Sequence, residues 1–135
     1  MSYGVSGALQ AAVYQALAGD ASLGALVGTA IYDAVPAGPV PGLYVSLGPE
    51  VVRNRSDKTG AGAAHDFVVS VVSDAAGFQV AKDAAGAVSD ALVDAALLLS
   101  RGRLVSLNFL RARARRVGND DVRRIDLTFR ARIED

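Results

Sequence analysis

The sequence predicts an α+β fold: an antiparallel sheet of four to five strands with two main helices packed on one face. Three observations carry that expectation. Apolar residues recur at spacings of three and four over 5–18 and again over 76–99. They alternate strictly over 122–133, where Ile125, Leu127, Phe129, Ala131 and Ile133 share one face and Arg124, Asp126, Thr128, Arg130 and Arg132 share the other. The segments run helix, short strands, hairpin, helix, hairpin, with no internal repeat. A length of 135 residues suits one domain spanning 1–135. With no Trp and four Phe, its core is built from Ala, Val and Leu.

Each element has a local reason. In 5–18, Val5, Leu9, Ala12, Val13, Ala16 and Leu17 fall on one helical face, and Gly19 suits the stop. Asp20 is placed to cap a short turn presenting Leu23, Leu26 and Val27. AIYDAV (30–35) reads as a brief strand. PAGPVPG (36–42) is a loop, because proline fixes φ and lacks an amide donor. LYVSLG (43–48) is the next strand. Residues 49–64 show no sustained period and read as a long flexible hairpin loop, with an extension of the preceding strand through Val51 and Val52 as the alternative for its start. HDFVVSVVS (65–73) has high β propensity. Over 76–99, Ala81, Ala84, Ala85, Val88, Leu92, Ala95 and Leu99 line one helical stripe, ending at Gly102. Two strands, 104–117 and 122–133, close the chain around the turn VGNDD.

Matching faces sets the register of that last hairpin. Arg111, Arg113 and Arg115 must lie beside the even polar residues of the final strand. That pairs Arg113 near Asp126 and Arg111 near Thr128, since a one-residue slip would drive arginines into the core. The run RARARR (111–116) is first of all a product of strand geometry.

Net charge is zero, but it is unevenly spread. Residues 1–100 hold four basic groups against nine acids, and residues 101–135 hold ten arginines against five acids. A basic block on an acidic body favours contact with an acidic partner or with copies of itself. The arginine face (Arg111, Arg113, Arg115, Arg124, Arg130, Arg132) has three readings: a solvated face partly neutralised by Asp126 and Glu134, a subunit interface, or a nucleic-acid contact. No aromatic interleaves these arginines for base stacking, so the last would be a backbone contact.

No catalytic constellation stands out. The absence of cysteine removes disulfides, thiolate zinc sites and cysteine nucleophiles. His65, the only histidine, reads as structural or solvent-exposed, and one His without Cys makes no typical zinc site. GAGAAH (60–65) lacks the third glycine and following helix of a phosphate loop. Asp83, Asp90 and Asp94 read as a solvated helix face. No enzyme activity, metal or cofactor is expected. The N-terminus lacks a basic leader and no apolar run nears the ~20 residues of a membrane span, so a soluble cytosolic product is expected.

LAGDASLGALVG (17–28), AIYDAVP (30–36) and PGLYVSLG (41–48) resemble the opening of the small tail-completion proteins of long-tailed phages. HDFVVSVVS, FQVAKDAAGAVSDAL and the closing GRLVSLNFLRARARRVGNDDVRRIDLTFRARIE follow in that family's order, so the resemblance covers nearly the whole chain. It implies a tail terminator, also found in phage-like gene transfer agents. Such proteins form a hexameric ring on the head-proximal end of the tail tube, stop tube polymerisation and join the head connector. DNA passes through the lumen as cargo. The implied partners are further copies of the chain, the tail tube protein and a head–tail connector or stopper. The implied site of assembly is the bacterial cytoplasm, and the implied destination is the tail neck. In this setting the arginine face meets the lumen or a neighbouring subunit, and Arg53, Arg55, Asp57 and Lys58 form a ring-to-ring contact loop. Another head–tail connector, such as a stopper, and a small nucleic-acid-binding module are the alternative readings.

Overall fold

The computed structural model describes residues 3–56, 62–118 and 122–135. A 3-10 turn (Tyr3–Val5) leads into α1 (Ser6–Ala18), followed by α2 (Ala21–Val27), β1 (Ile31–Tyr32), β2 (Leu43–Asn54), β3 (Gly62–Ser73), α3 (Gln79–Leu92), β4 (Arg103–Val117) and β5 (Val122–Glu134). The α+β expectation holds. The five strands are ordered β1-β2-β3-β5-β4 in an open sheet. β1 runs parallel to β2 and every other pair is antiparallel, so the sheet is mixed at one edge.

The core lies between the inner sheet face and the helices. Leu9, Val13 and Leu17 of α1 and Ala81, Ala84, Val88 and Leu92 of α3 pack against Val69, Val71, Leu127 and Phe129. The short side chains of Ala81 and Ala84 let that helix lie close to the sheet. Phe129 is stacked on Phe67 at 5.7 Å and meets Phe109 edge-on at 6.0 Å, fixing the middle of three adjacent strands. The Asp20 side chain accepts the Leu23 amide at 2.9 Å, capping α2 as expected.

Three expectations are corrected. The helix expected over 76–99 ends at Leu92. Val93 is extended and Asp94 adopts φ 57°, while its N–H donates to the Leu107 carbonyl at 3.1 Å. This turns the chain along β4, so Leu97 and Leu99 reach the core from irregular backbone. The loop expected over 49–64 is shorter, because residues 50–54 pair with 63–67 beyond a bulge between Leu47 and Glu50. That bulge hides the alternation from the sequence. Finally, β4 is not one uninterrupted alternation. Irregularities between Leu104 and Ser106 and between Phe109 and Arg111 leave Val105 and Leu110 without register partners.

Candidate functional site

The outer sheet face, away from the helices, gathers the basic groups. The bulge between Phe109 and Arg111 puts Phe109 opposite Phe129 on the inner side and Arg111 opposite Thr128 on the outer side. Beyond it, Arg113 pairs with Asp126 and Arg115 with Arg124, the register the faces predicted. Ladder partners share a face, so Arg53, Arg103, Arg111, Arg113, Arg115, Arg124, Arg130 and Arg132 line the outer surface with Asp66, Asp126 and Glu134. Eight arginines against three carboxylates make it strongly cationic. The opposite layer is acidic: residues 3–42 and 74–102 carry six aspartates against Lys82 and Arg101.

The two aspartates organise the arginines. Asp66 accepts a bidentate pair from Arg130, at 2.7 and 2.9 Å, and a longer contact from Arg53 at 3.5 Å. The Arg130 bond, helped by the fields of Arg130, Arg53 and Arg111, holds the Asp66 carboxyl below its ordinary range against an opposing effect of burial. Asp126 accepts from Ser70 at 2.6 Å and Arg124 at 2.9 Å, with Arg115 at 3.5 Å. Burial pushes the Asp126 carboxyl up, but those bonds and the arginine fields outweigh it and hold its pKa low. Arg115 and Arg124 face each other across the ladder, and Asp126 offsets that like-charge pair. Arg103 pairs with Glu134 at 2.5 Å.

Arg111, Arg113 and Arg132 make no ion pair within 4 Å among the described residues. They are the cations this face leaves available. Of the residues expected in a contact loop, Arg53 instead lies in β2 on the outer face. Arg55 is exposed and follows β2, its amide bonded to the Gly62 carbonyl at 2.7 Å. Asp57 and Lys58 lie outside the described residues.

His65 is fully buried. Its Nδ1 lies 3.3 Å from Glu50 Oε2, while Glu50 Oε1 accepts from Tyr3 Oη at 2.8 Å and Ser6 Oγ at 2.6 Å. Burial raises the Glu50 pKa, but the bonds from Ser6, Tyr3 and His65 overcome it and set it low. The hydroxyls reach the carboxylate rather than the imidazole, so this cluster is no nucleophile–base pair. It ties the N-terminal turn to β2 and β3. Asp66 and Glu50 are the site residues that sequence reasoning missed. Asp66 has the even parity of the arginine face, but seeing that requires the non-sequential pairing of β3 with β5. Among the described residues no His, Cys, Asp and Glu group is placed to hold a metal ion, and no helix is long and apolar enough to cross a membrane.

Comparison with known proteins agrees with this architecture. A chain from the virion of a native gene transfer agent particle matches with a TM-score of 0.94 at 72% identity, covering 99% of this chain and 100% of that one. Comparison with curated proteins finds no match. The family model described as tail completion protein gp17 matches residues 11–134. With that match spanning most of its length, the chain belongs to the tail completion protein gp17 family.

Proposed function

We propose that this protein is a structural component of a phage-like tail, a terminator. Copies form a hexameric ring on the head-proximal end of the tail tube, stop its polymerisation and join it to the head connector, with DNA passing through the lumen. The observation that carries this reading is the likeness, along nearly the whole chain, to a chain of a gene transfer agent virion, together with membership of the tail completion family. The partners are copies of itself, the tail tube protein and a head–tail connector. Assembly takes place in the bacterial cytoplasm.

The charge layering supports a defined orientation in the ring. With sheets turned inward, Arg111, Arg113 and Arg132 face the lumen, where their charges meet passing phosphates without reading sequence. The acidic helices then face outward. Electron microscopy of particles made with this gene deleted tests the function. Overlong tails beside DNA-filled heads are expected. Unjoined tails of normal length would indicate a stopper instead, and normal joined particles would overturn the reading.

A further inference from the structure

The sheet has two unequal open edges, and their chemistry is complementary. At one end, β4 overhangs the helix layer. Its Ala112 and Ala114 lie opposite the buried Leu127 and Ile125, yet both are exposed. Phe109 is 44% exposed and Leu110 37%. Among the described residues no helix covers this strip. β4 carries five arginines and no acid.

At the other end, β1 pairs only with Val45 and Ser46, leaving β2 open from Leu47 onward. Beside that open edge lies a cleft of about 760 Å³ lined by Tyr3, Gly7, Ala11, Tyr14, Asp33 and Leu47. Gly7, Ala11 and Tyr14 are spaced i, i+4, i+7, so α1 presents a small-residue face flanked by tyrosine. Residues 3–42 carry Asp20 and Asp33 and no basic group. The two edges also match in level. Leu47 lies in the same cross-sheet row as Val69, Leu127 and Ala112, and Glu50 in the row of Phe67, Phe129 and Phe109.

We infer that the bare β4 strip of one copy docks in the α1–β2 cleft of the next. This inference rests on the ring reading above and supplies its subunit contact. Copies in the same orientation bring β4 antiparallel to β2, and the neighbour's α1 covers Phe109, Leu110 and Ala112. Pro49 has no amide to donate and the bulge interrupts β2, so side chains rather than a continuous ladder carry the contact. Because the two surfaces differ, the contact is heterologous and propagates until a ring closes. Every copy then shows its arginine face on the same side.

The chain has no cysteine, so introduced thiols report unambiguously. In particles carrying Ala11→Cys with Ala112→Cys, both at exposed positions, a short bismaleimide should give a ladder of covalent multimers. Each single variant should stay monomeric. A monomeric double variant in particles with normal tails overturns the interface while leaving the ring reading intact. So does a cross-link from the single Ala112→Cys chain to a different tail protein. Absence of the chain from the tails overturns the ring reading itself. Independently, Ala112→Asp should cut particle yield at least tenfold with unchanged melting of the purified chain, and normal yield overturns the inference.

Discussion

Arg113 lies directly across the β4–β5 ladder from Asp126, yet the carboxylate is held by Arg124 at 2.9 Å and Ser70 at 2.6 Å. The two members of the ladder pair therefore have separable roles. Asp126 neutralises its neighbours, while Arg113 stays available. Asp126→Asn strands Arg124 and Arg115 on a cationic surface and should cost about 1–3 kcal/mol. Arg113→Gln breaks no pair and should change stability by less than about 0.5 kcal/mol. Urea unfolding midpoints of the two variants check this, and equal losses would contradict the division.

Acid sensitivity follows from the same carboxylates. Asp66, Asp126 and Glu50 all have pKa values lowered in the folded chain. A lowered folded pKa adds stability above the unfolded value, roughly 4 for these groups, and that stability is lost as pH falls through the folded value. Stability should therefore drop below about pH 4. Asp66→Asn removes one of these contributions and should make the acid limb shallower. An unchanged difference between urea midpoints at about pH 3 and pH 6 in that variant would contradict the assignment.

What was legible in the sequence is what period and parity encode. The alternation of β5 is complete in the sequence, and it yielded the Arg113–Asp126 register because the hairpin partner is adjacent. The Asp66–Arg130 pair was not legible, since it joins residues 64 positions apart through a pairing no local pattern specifies. The end of α3 was missed because Ala95 and Leu99 continue the helical stripe, while the turn at Asp94 depends on a tertiary bond to Leu107. Alternation places Ala112 and Ala114 opposite the arginines, but parity alone would set Phe109 among the arginines, and only the bulge before Arg111 brings it to the inner side.

The Glu50 carboxylate should anchor the N-terminal segment. Glu50→Ala removes the acceptor for Tyr3 and Ser6 and leaves the buried His65 Nδ1 without its partner. The expected loss is about 1–3 kcal/mol. Amide exchange over the 3-10 turn and the start of α1 should rise more than over β5. Glu50→Gln keeps an acceptor for the hydroxyls and should retain part of the protection. Uniform exchange changes across the fold would show that the cluster does not act locally.

Reversing free arginines separates folding from assembly. Arg111 and Arg113 make no ion pair among the described residues, but Arg111 lends its field to Asp66 and Arg113 faces Asp126 across the ladder. Arg111→Glu with Arg113→Glu therefore sets like charges beside both aspartates and should cost no more than about 1 kcal/mol, leaving the purified chain folded with a slightly lowered melting temperature. If the outer face meets phosphates, their charge matters and their exact side chain does not, because backbone neutralisation counts cations. Arg111→Lys with Arg113→Lys should then support near-normal particle yield and DNA delivery, while the double Glu variant loses at least tenfold. Microscopy assigns the step: unjoined tails place the loss in ring assembly or joining, and joined tails that fail to deliver DNA place it in the lumen. Wild-type yield and delivery from the double Glu variant would remove the arginine face from the function altogether.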